Sequence, residues 1–254
     1  MELSQVRALV TGGASGMGRT FARSLARDGA AVAFCDLDAA AVEAVEAEAR
    51  AEGLELRGFV ADVADEAQVV RLVDEAWAAL GGLNLWINNA GLFRDGLLVR
   101  KGRDGEVHRL SLADWQRVID VDLTGPFLCT REFAAKRIEA GGGPALVVNM
   151  ASISRHGNQG QSNYSAAKAG LVADTRLWAQ ELARYGVRVV AIAPGFVNTP
   201  ILAGMREDVL QAAVKRVPLG RVGEPEEIYR AVRFAVECDY LTGTCLDVDG
   251  GLRL

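Results

Sequence analysis

Nowhere does this chain hold an apolar run long enough to cross a bilayer. The longest runs, such as Ala145 to Val148 and Val187 to Ala193, cover only a few residues, whereas a spanning helix needs about 20. The opening Met1-Glu2-Leu3-Ser4 lacks the basic-then-apolar order of a secretory leader and enters an apolar strand almost at once. Cysteine is scarce: Cys35, Cys129, Cys238 and Cys245 stand far apart and form no CxxC pair. Buried reduced thiols in a cytoplasmic protein are the expectation. The two histidines, His108 and His156, are not spaced as metal ligands, so no metal is expected. There are six prolines and no low-complexity tract, which argues against disorder. Nor is there a basic excess; the net charge is −5 with both signs scattered, which excludes a nucleic-acid surface. What the chain does have is 254 residues, half of them hydrophobic and 24% charged, enough to bury a sizeable core.

Short apolar runs alternate with amphipathic stretches of helical length. Strands are expected at Val6 to Val10, Ala31 to Cys35, Leu56 to Ala61, Leu85 to Asn88, Ala145 to Met150, Val187 to Ile192 and Cys245 to Val248. Between them, helices are expected at Arg19 to Asp28, Ala39 to Glu52, Glu66 to Leu80 and Asn163 to Arg184. Two more fall near Glu207 to Arg216 and Glu224 to Val236. Leu112 to Ala140 reads as one long helix, bent where Gly125-Pro126 interrupts it. Continuous apolar strands joined by helices give an α/β fold: a single-domain, Rossmann-like, doubly wound parallel sheet covered by helices on both faces. Such a sheet binds ligands at the carboxyl ends of its strands. No linker or repeat divides residues 1–254. Residues 94–110 break the rhythm, being polar, charged and glycine-rich. They read either as a specificity-bearing excursion at the mouth of the sheet or as a structureless insertion.

Several short segments carry chemistry. Thr11-Gly12-Gly13-Ala14-Ser15-Gly16-Met17-Gly18 follows the first strand and opens a helix, a setting for a diphosphate on free N–H groups. Asp36 ends the second strand, where a carboxylate can accept from both ribose hydroxyls and repel a 2′-phosphate. Neither Ala14 nor Ser15 supplies a compensating cation, so NAD(H) is expected over NADP(H). Asp62-Val63 ends the third strand and could contact adenine, and Asn88-Asn89-Ala90-Gly91 ends the fourth. Tyr164 and Lys168 are four residues apart, side by side on one helix face. A lysine cation should pull the phenol below its usual value of about 10, and so fit it to move a proton. Any of these segments alone could be a turn, a solvated strand end or an ordinary helix face.

Taken in order, TGxxxGxG, the strand-end aspartate, NNAG, Ser152, YxxxK and Pro-Gly resemble the short-chain dehydrogenase/reductase family from Val6 to Gly251. The resemblance implies a diphosphate site along Gly12, Ser15, Gly16, Met17 and Gly18. It implies that Asn89, with Ala90 and Gly91, sits beside a cofactor ribose. Tyr164 would be the general acid/base, Lys168 would bind the nicotinamide ribose and lower the phenol, and Ser152 would hydrogen-bond the substrate oxygen, ahead of nearby Ser154. Pro194-Gly195-Phe196-Val197-Asn198-Thr199 matches the segment that holds the carboxamide, through the Val197 backbone and the Thr199 hydroxyl. A substrate loop would cover about 195–220, and the assembly would be a homotetramer. The substrate would be a small-molecule ketone or secondary alcohol.

One position departs from the family. Where it usually has Asn in Asn-Leu-x-Gly, this chain reads Asp122-Leu123-Thr124-Gly125. An ionised aspartate accepts but cannot donate, so either the proton relay is altered or the change is silent. Gly91 to Leu98 and Gly157 to Tyr164 resemble 3-oxoacyl-carrier-protein reductases, which favour NADPH where Asp36 favours NADH. A ketone/alcohol oxidoreductase is therefore the first reading and a 3-oxoacyl-(carrier protein or CoA) reductase the second. A non-catalytic dinucleotide sensor is the third, opposed by the intact Ser152, Tyr164 and Lys168.

Overall fold

Strands that are apolar at every position need cover on both faces, and alternation decides which face each residue meets. In β1 (Arg7–Thr11), Ala8 and Val10 join one hydrophobic cluster and Leu9 the other. The computed structural model describes residues 1–203 and 207–254. In chain order there follow α1 (Gly16–Arg27), β2 (Ala31–Asp36), α2 (Ala39–Ala51), β3 (Leu56–Val60), α3 (Glu66–Leu80) and β4 (Leu85–Asn88). Next come β5 (Val99–Lys101), β6 (Val107–Arg109), α4 (Leu112–Ile119), α5 (Gly125–Glu139), β7 (Ala145–Met150) and α6 (Ser162–Leu182). The chain closes with β8 (Val187–Pro194), α7 (Pro200–Ala203), α8 (Glu207–Val214), α9 (Pro225–Glu237) and β9 (Thr244–Val248).

Seven of these strands form one sheet in the order β3-β2-β1-β4-β7-β8-β9, and every pairing in it is parallel. One face is covered by Phe21 and Leu25 of α1, Val42 and Val45 of α2, and Val232 and Val236 of α9. The other carries Val69 and Leu72 of α3, Leu128 and Phe133 of α5, and Ala179 of α6. This is the expected doubly wound sheet. Strand order reverses between β1 and β4, so the loops after these strands diverge and leave a crevice at their carboxyl ends.

Local chemistry fixes the boundaries. Asp38 caps α2 by accepting from Ala40 and Ala41 N–H, and Asp65 caps α3 by accepting from Gln68 N–H. Gly81, left-handed at φ 66°, ends α3. Residues 66–80, 85–88 and 145–150 match the expected spans, and the other elements shift by one to three residues at an end. Part of the expected loop at 195–220 lies outside the described residues.

The long helix expected over 112–140 is present as one continuous helical run to Glu139, and the irregularity expected at Gly125-Pro126 is a π turn just before it. Between α4 and α5 the chain makes a π turn at Asp120–Thr124. Gly125 N–H reaches Asp120 O, five residues back, while Pro126 has no N–H to offer the Asp122 carbonyl. The ladder slips by one residue, a device common at functional sites, and Asp122 at its centre is fully buried. The excursion at 94–110 is a two-stranded antiparallel hairpin, with Val99 opposite Arg109 and both strands exposed.

Candidate active site

The crevice at the strand reversal is a cavity of about 270 Å³. From the loop after β1, Gly12, Ser15, Gly16 and Met17 border it. Ser15 is the N-cap of α1, yet its side chain makes no capping hydrogen bond, so the first-turn N–H groups are left to an outside acceptor. Asp36 and Leu37 border it at the end of β2, Asp62 and Val63 after β3, and Asn89, Ala90 and Gly91 after β4. The Asp36 carboxylate is oriented by Ala14 N–H at 3.0 Å and Leu37 N–H at 2.8 Å.

Gly18 is not among the residues that border this cavity, and it has a packing role. A Cβ there would lie 2.1 Å from Gly12 O and 2.4 Å from Asn89 Nδ2. Glycine lets α1 press against the loop it follows. Asn89 Nδ2 in turn donates to Thr11 O at 3.0 Å and Gly12 O at 3.2 Å, tying the end of β4 to that loop. Asn88 is a buried cross-strand tie, donating to Asn149 Oδ1 at 2.8 Å and Thr130 Oγ1 at 2.9 Å.

Thr199 borders this cavity and a second one of about 290 Å³, so the two meet there. Ser152 and Tyr164 line the second cavity together with Gly195 and Val197, while Pro194 is the buried last residue of β8. The Ser152 hydroxyl is near enough to the Tyr164 oxygen to favour its anion, and it accepts from Ser154 N–H at 3.1 Å. The Ser154 hydroxyl is spent on Gln161 Oε1 at 2.9 Å, which leaves Ser152 as the serine on the phenol. Phe93 packs on Tyr164 with ring centroids 4.4 Å apart.

Behind the phenol, Lys168 Nζ lies 5.4 Å from the Tyr164 ring centre. It donates to Met150 O at 2.9 Å and pairs with Asp122 Oδ1 at 3.0 Å. Asp122 Oδ2 accepts from Leu92 N–H at 3.1 Å, whereas Oδ1 has the ion contact but no well-directed hydrogen bond. Gly91 makes this packing possible: a Cβ there would sit 2.7 Å from Asp122 Oδ1. Burial pulls the Lys168 ammonium down, but Asp122 and the Tyr164 oxygen together carry it above its ordinary value. Burial raises the Asp122 carboxyl against the pull of Lys168.

The expected acidic phenol is also corrected for the protein alone. Burial pushes Tyr164 above its usual value. Lys168 and the Ser152 hydroxyl act downward, and Asp122 and Asp95 act upward. The sequence spacing identified the cation but carried no information on how completely the phenol is enclosed.

Sequence reasoning gave no role to Arg117, Asn158, Phe196 or Leu202, all of which border the two cavities. Arg117 reaches the crevice from α4 and lies 3.7 Å from Asp62, and nothing in its local sequence signals this. All four cysteines are free. Two are half-buried rather than buried, and burial pushes the Cys35 thiol up to about 12.

A family model described as enoyl-(acyl carrier protein) reductase matches residues 12–253. The chain belongs to the short-chain dehydrogenase/reductase family. As a member it is an oxidoreductase of the CH–OH/C=O class, built to bind a nicotinamide dinucleotide. It is 36% identical over 255 residues to the 3-oxoacyl-(acyl-carrier-protein) reductase FabG of Thermotoga maritima, covering 99% of each chain. It is 40% identical over 249 residues to the (2S)-((R)-hydroxy(phenyl)methyl)succinyl-CoA dehydrogenase subunit BbsD of Thauera aromatica, covering 97% of this chain and 96% of that one. It is 38% identical over 265 residues to the (3R)-3-hydroxyacyl-CoA dehydrogenase of Canis lupus familiaris, covering 100% of this chain and 98% of that one. Among the described residues, no helix is long and apolar enough to cross a membrane.

Proposed function

We propose that the protein is an NAD(H)-dependent oxidoreductase that interconverts a ketone and a secondary alcohol, with Tyr164 as general acid/base. The observation that carries this reading is that Ser152 and Tyr164 line one cavity, with Lys168 5.4 Å from the phenol ring centre, and that this cavity meets the strand-end crevice at Thr199. A bound nicotinamide supplies the hydride. Tyr164 donates its hydroxyl proton to the carbonyl oxygen in reduction and takes it back in oxidation. Ser152 donates a hydrogen bond to that oxygen as charge develops on it. Lys168, kept cationic by Asp122, stabilises the phenolate and offers N–H groups to a ribose hydroxyl. Gly12, Ser15, Gly16 and Met17 would hold the diphosphate, Asp62 and Val63 would meet adenine, and Gly195, Val197 and Thr199 would hold the carboxamide end.

Asp36 supports NAD(H) over NADP(H). Its oriented carboxylate borders the crevice, and the cation bordering that crevice, Arg117, lies on the Asp62 side. The test is kcat/KM with each reduced cofactor over a panel of ketones. NADH should exceed NADPH by about tenfold or more, as expected for one like-charge contact. A clear NADPH preference defeats the assignment, and cofactor binding with no turnover of any ketone favours a sensor instead.

A 3-oxoacyl thioester is the second reading of the substrate, favoured by what the relatives from Thermotoga maritima and Canis lupus familiaris are named for. The four free thiols suit a reducing cytoplasm. Leu112, Phe127 and Leu177, exposed on α4, α5 and α6, suit contacts between subunits of a homotetramer.

A further inference from the structure

The second cavity has an uneven electrostatic lining. Among the described residues that border it, Asp95 is the only one bearing a charge, and no Lys, Arg or His faces it. The rest is neutral, with Phe93, Ile153, Phe196 and Leu202 supplying apolar surface. Asp95 lies just before the hairpin, and its position is built rather than incidental. Gly96 N–H donates to Gly160 O at 2.8 Å, which docks this segment on the loop before α6. Gln161 Nε2 then donates to both Asp95 oxygens, at 3.2 and 3.0 Å.

Gln161 is buried, and its Oε1 is taken by the Ser154 hydroxyl at 2.9 Å and Asn158 Nδ2 at 3.0 Å. Its amide is therefore fixed from both ends and holds the carboxylate at the cavity. A carboxylate has about four acceptor sites, so Asp95 still has lone pairs for a donor in the cavity. A substrate anion placed there would meet a fixed like charge and, among the described residues that border the cavity, no cation, which costs free energy even near solvent.

We propose that Asp95 is a specificity-determining residue: it selects substrates that are neutral or donor-bearing beside the reacting carbonyl and turns away free carboxylates. The inference rests on the ketone/alcohol function and names its substrate class. Oxo esters, oxo thioesters, oxo amides and hydroxy ketones fit, and free oxo acids do not.

The probes are ethyl 3-oxobutanoate and 3-oxobutanoate, which carry the same ketone with and without the negative charge. The wild-type protein with NADH should favour the ester by about tenfold or more in kcat/KM, mainly through KM. Added salt should narrow the gap, because Asp95 is exposed to solvent. Asp95→Asn keeps the shape and an oxygen for Gln161, and should lower KM for the acid until the preference is nearly lost. An ester-to-acid ratio unchanged by Asp95→Asn overturns the inference. Calorimetry with phenylacetamide and phenylacetate reads the same selection without turnover. Equal affinities for that pair in the wild type also overturn it. Selection of the amide by a protein that reduces no ketone supports the role of Asp95 while contradicting the proposed function.

Discussion

Asp122 is where this chain departs most from the pattern it otherwise follows, and its consequence is electrostatic. Its charge sustains the Lys168 cation and also raises the Tyr164 phenol. A raised phenol stays protonated to higher pH, so reduction should hold across neutral pH and alcohol oxidation should climb only on the alkaline side. Asp122→Asn removes one of the upward influences, so the alkaline limb of oxidation should move to lower pH. Full pH–rate profiles of both proteins read this; superimposed curves, or a shift to higher pH, would contradict it. At this scale the sequence was legible wherever a residue's partner lies close by in the chain. Tyr164 and Lys168 are one helical turn apart and could be paired on sight. The packing role of Gly18 was not legible, because its neighbour Asn89 comes from a distant strand end and only the folded chain brings them within contact.

Elements were legible in proportion to how strongly their own residues bound them. The α3 span, which matches its expected bounds, is held by the Asp65 cap at one end and left-handed Gly81 at the other. The helical region over 112–140 carried a proline, which announced an irregularity but not its kind. A kink at Gly125-Pro126 and a π turn just before it satisfy the same missing N–H. The π turn also brings Asp122 onto Lys168, a gain that depends on α6 and is invisible locally. The hairpin at 99–109 was hidden for a different reason. Its strands are three residues each, and both are exposed, so no hydrophobic alternation marks them.

At the scale of the molecule, parallel order follows from alternation of strand and helix, and the crevice follows from the reversal between β1 and β4. What escapes a single chain is the assembly. Phe127 and Leu177 lie exposed on α5 and α6 at 42% and 49% of their surface; the proposed homotetramer predicts about four times the 27.1 kDa chain mass in light scattering, and a 27 kDa particle would remove it. The sheet brings Ser152 after β7, Tyr164 on α6 and the loops of β1 and β4 to one rim, and the central claim is that the Tyr164 hydroxyl exchanges the reaction's proton there. Tyr164→Phe tests it most directly, with NADH affinity and turnover of a ketone substrate measured on the same preparation. The account predicts NADH binding within a few-fold of wild type and turnover lower by about 100-fold or more. Turnover close to wild type in that variant would contradict it.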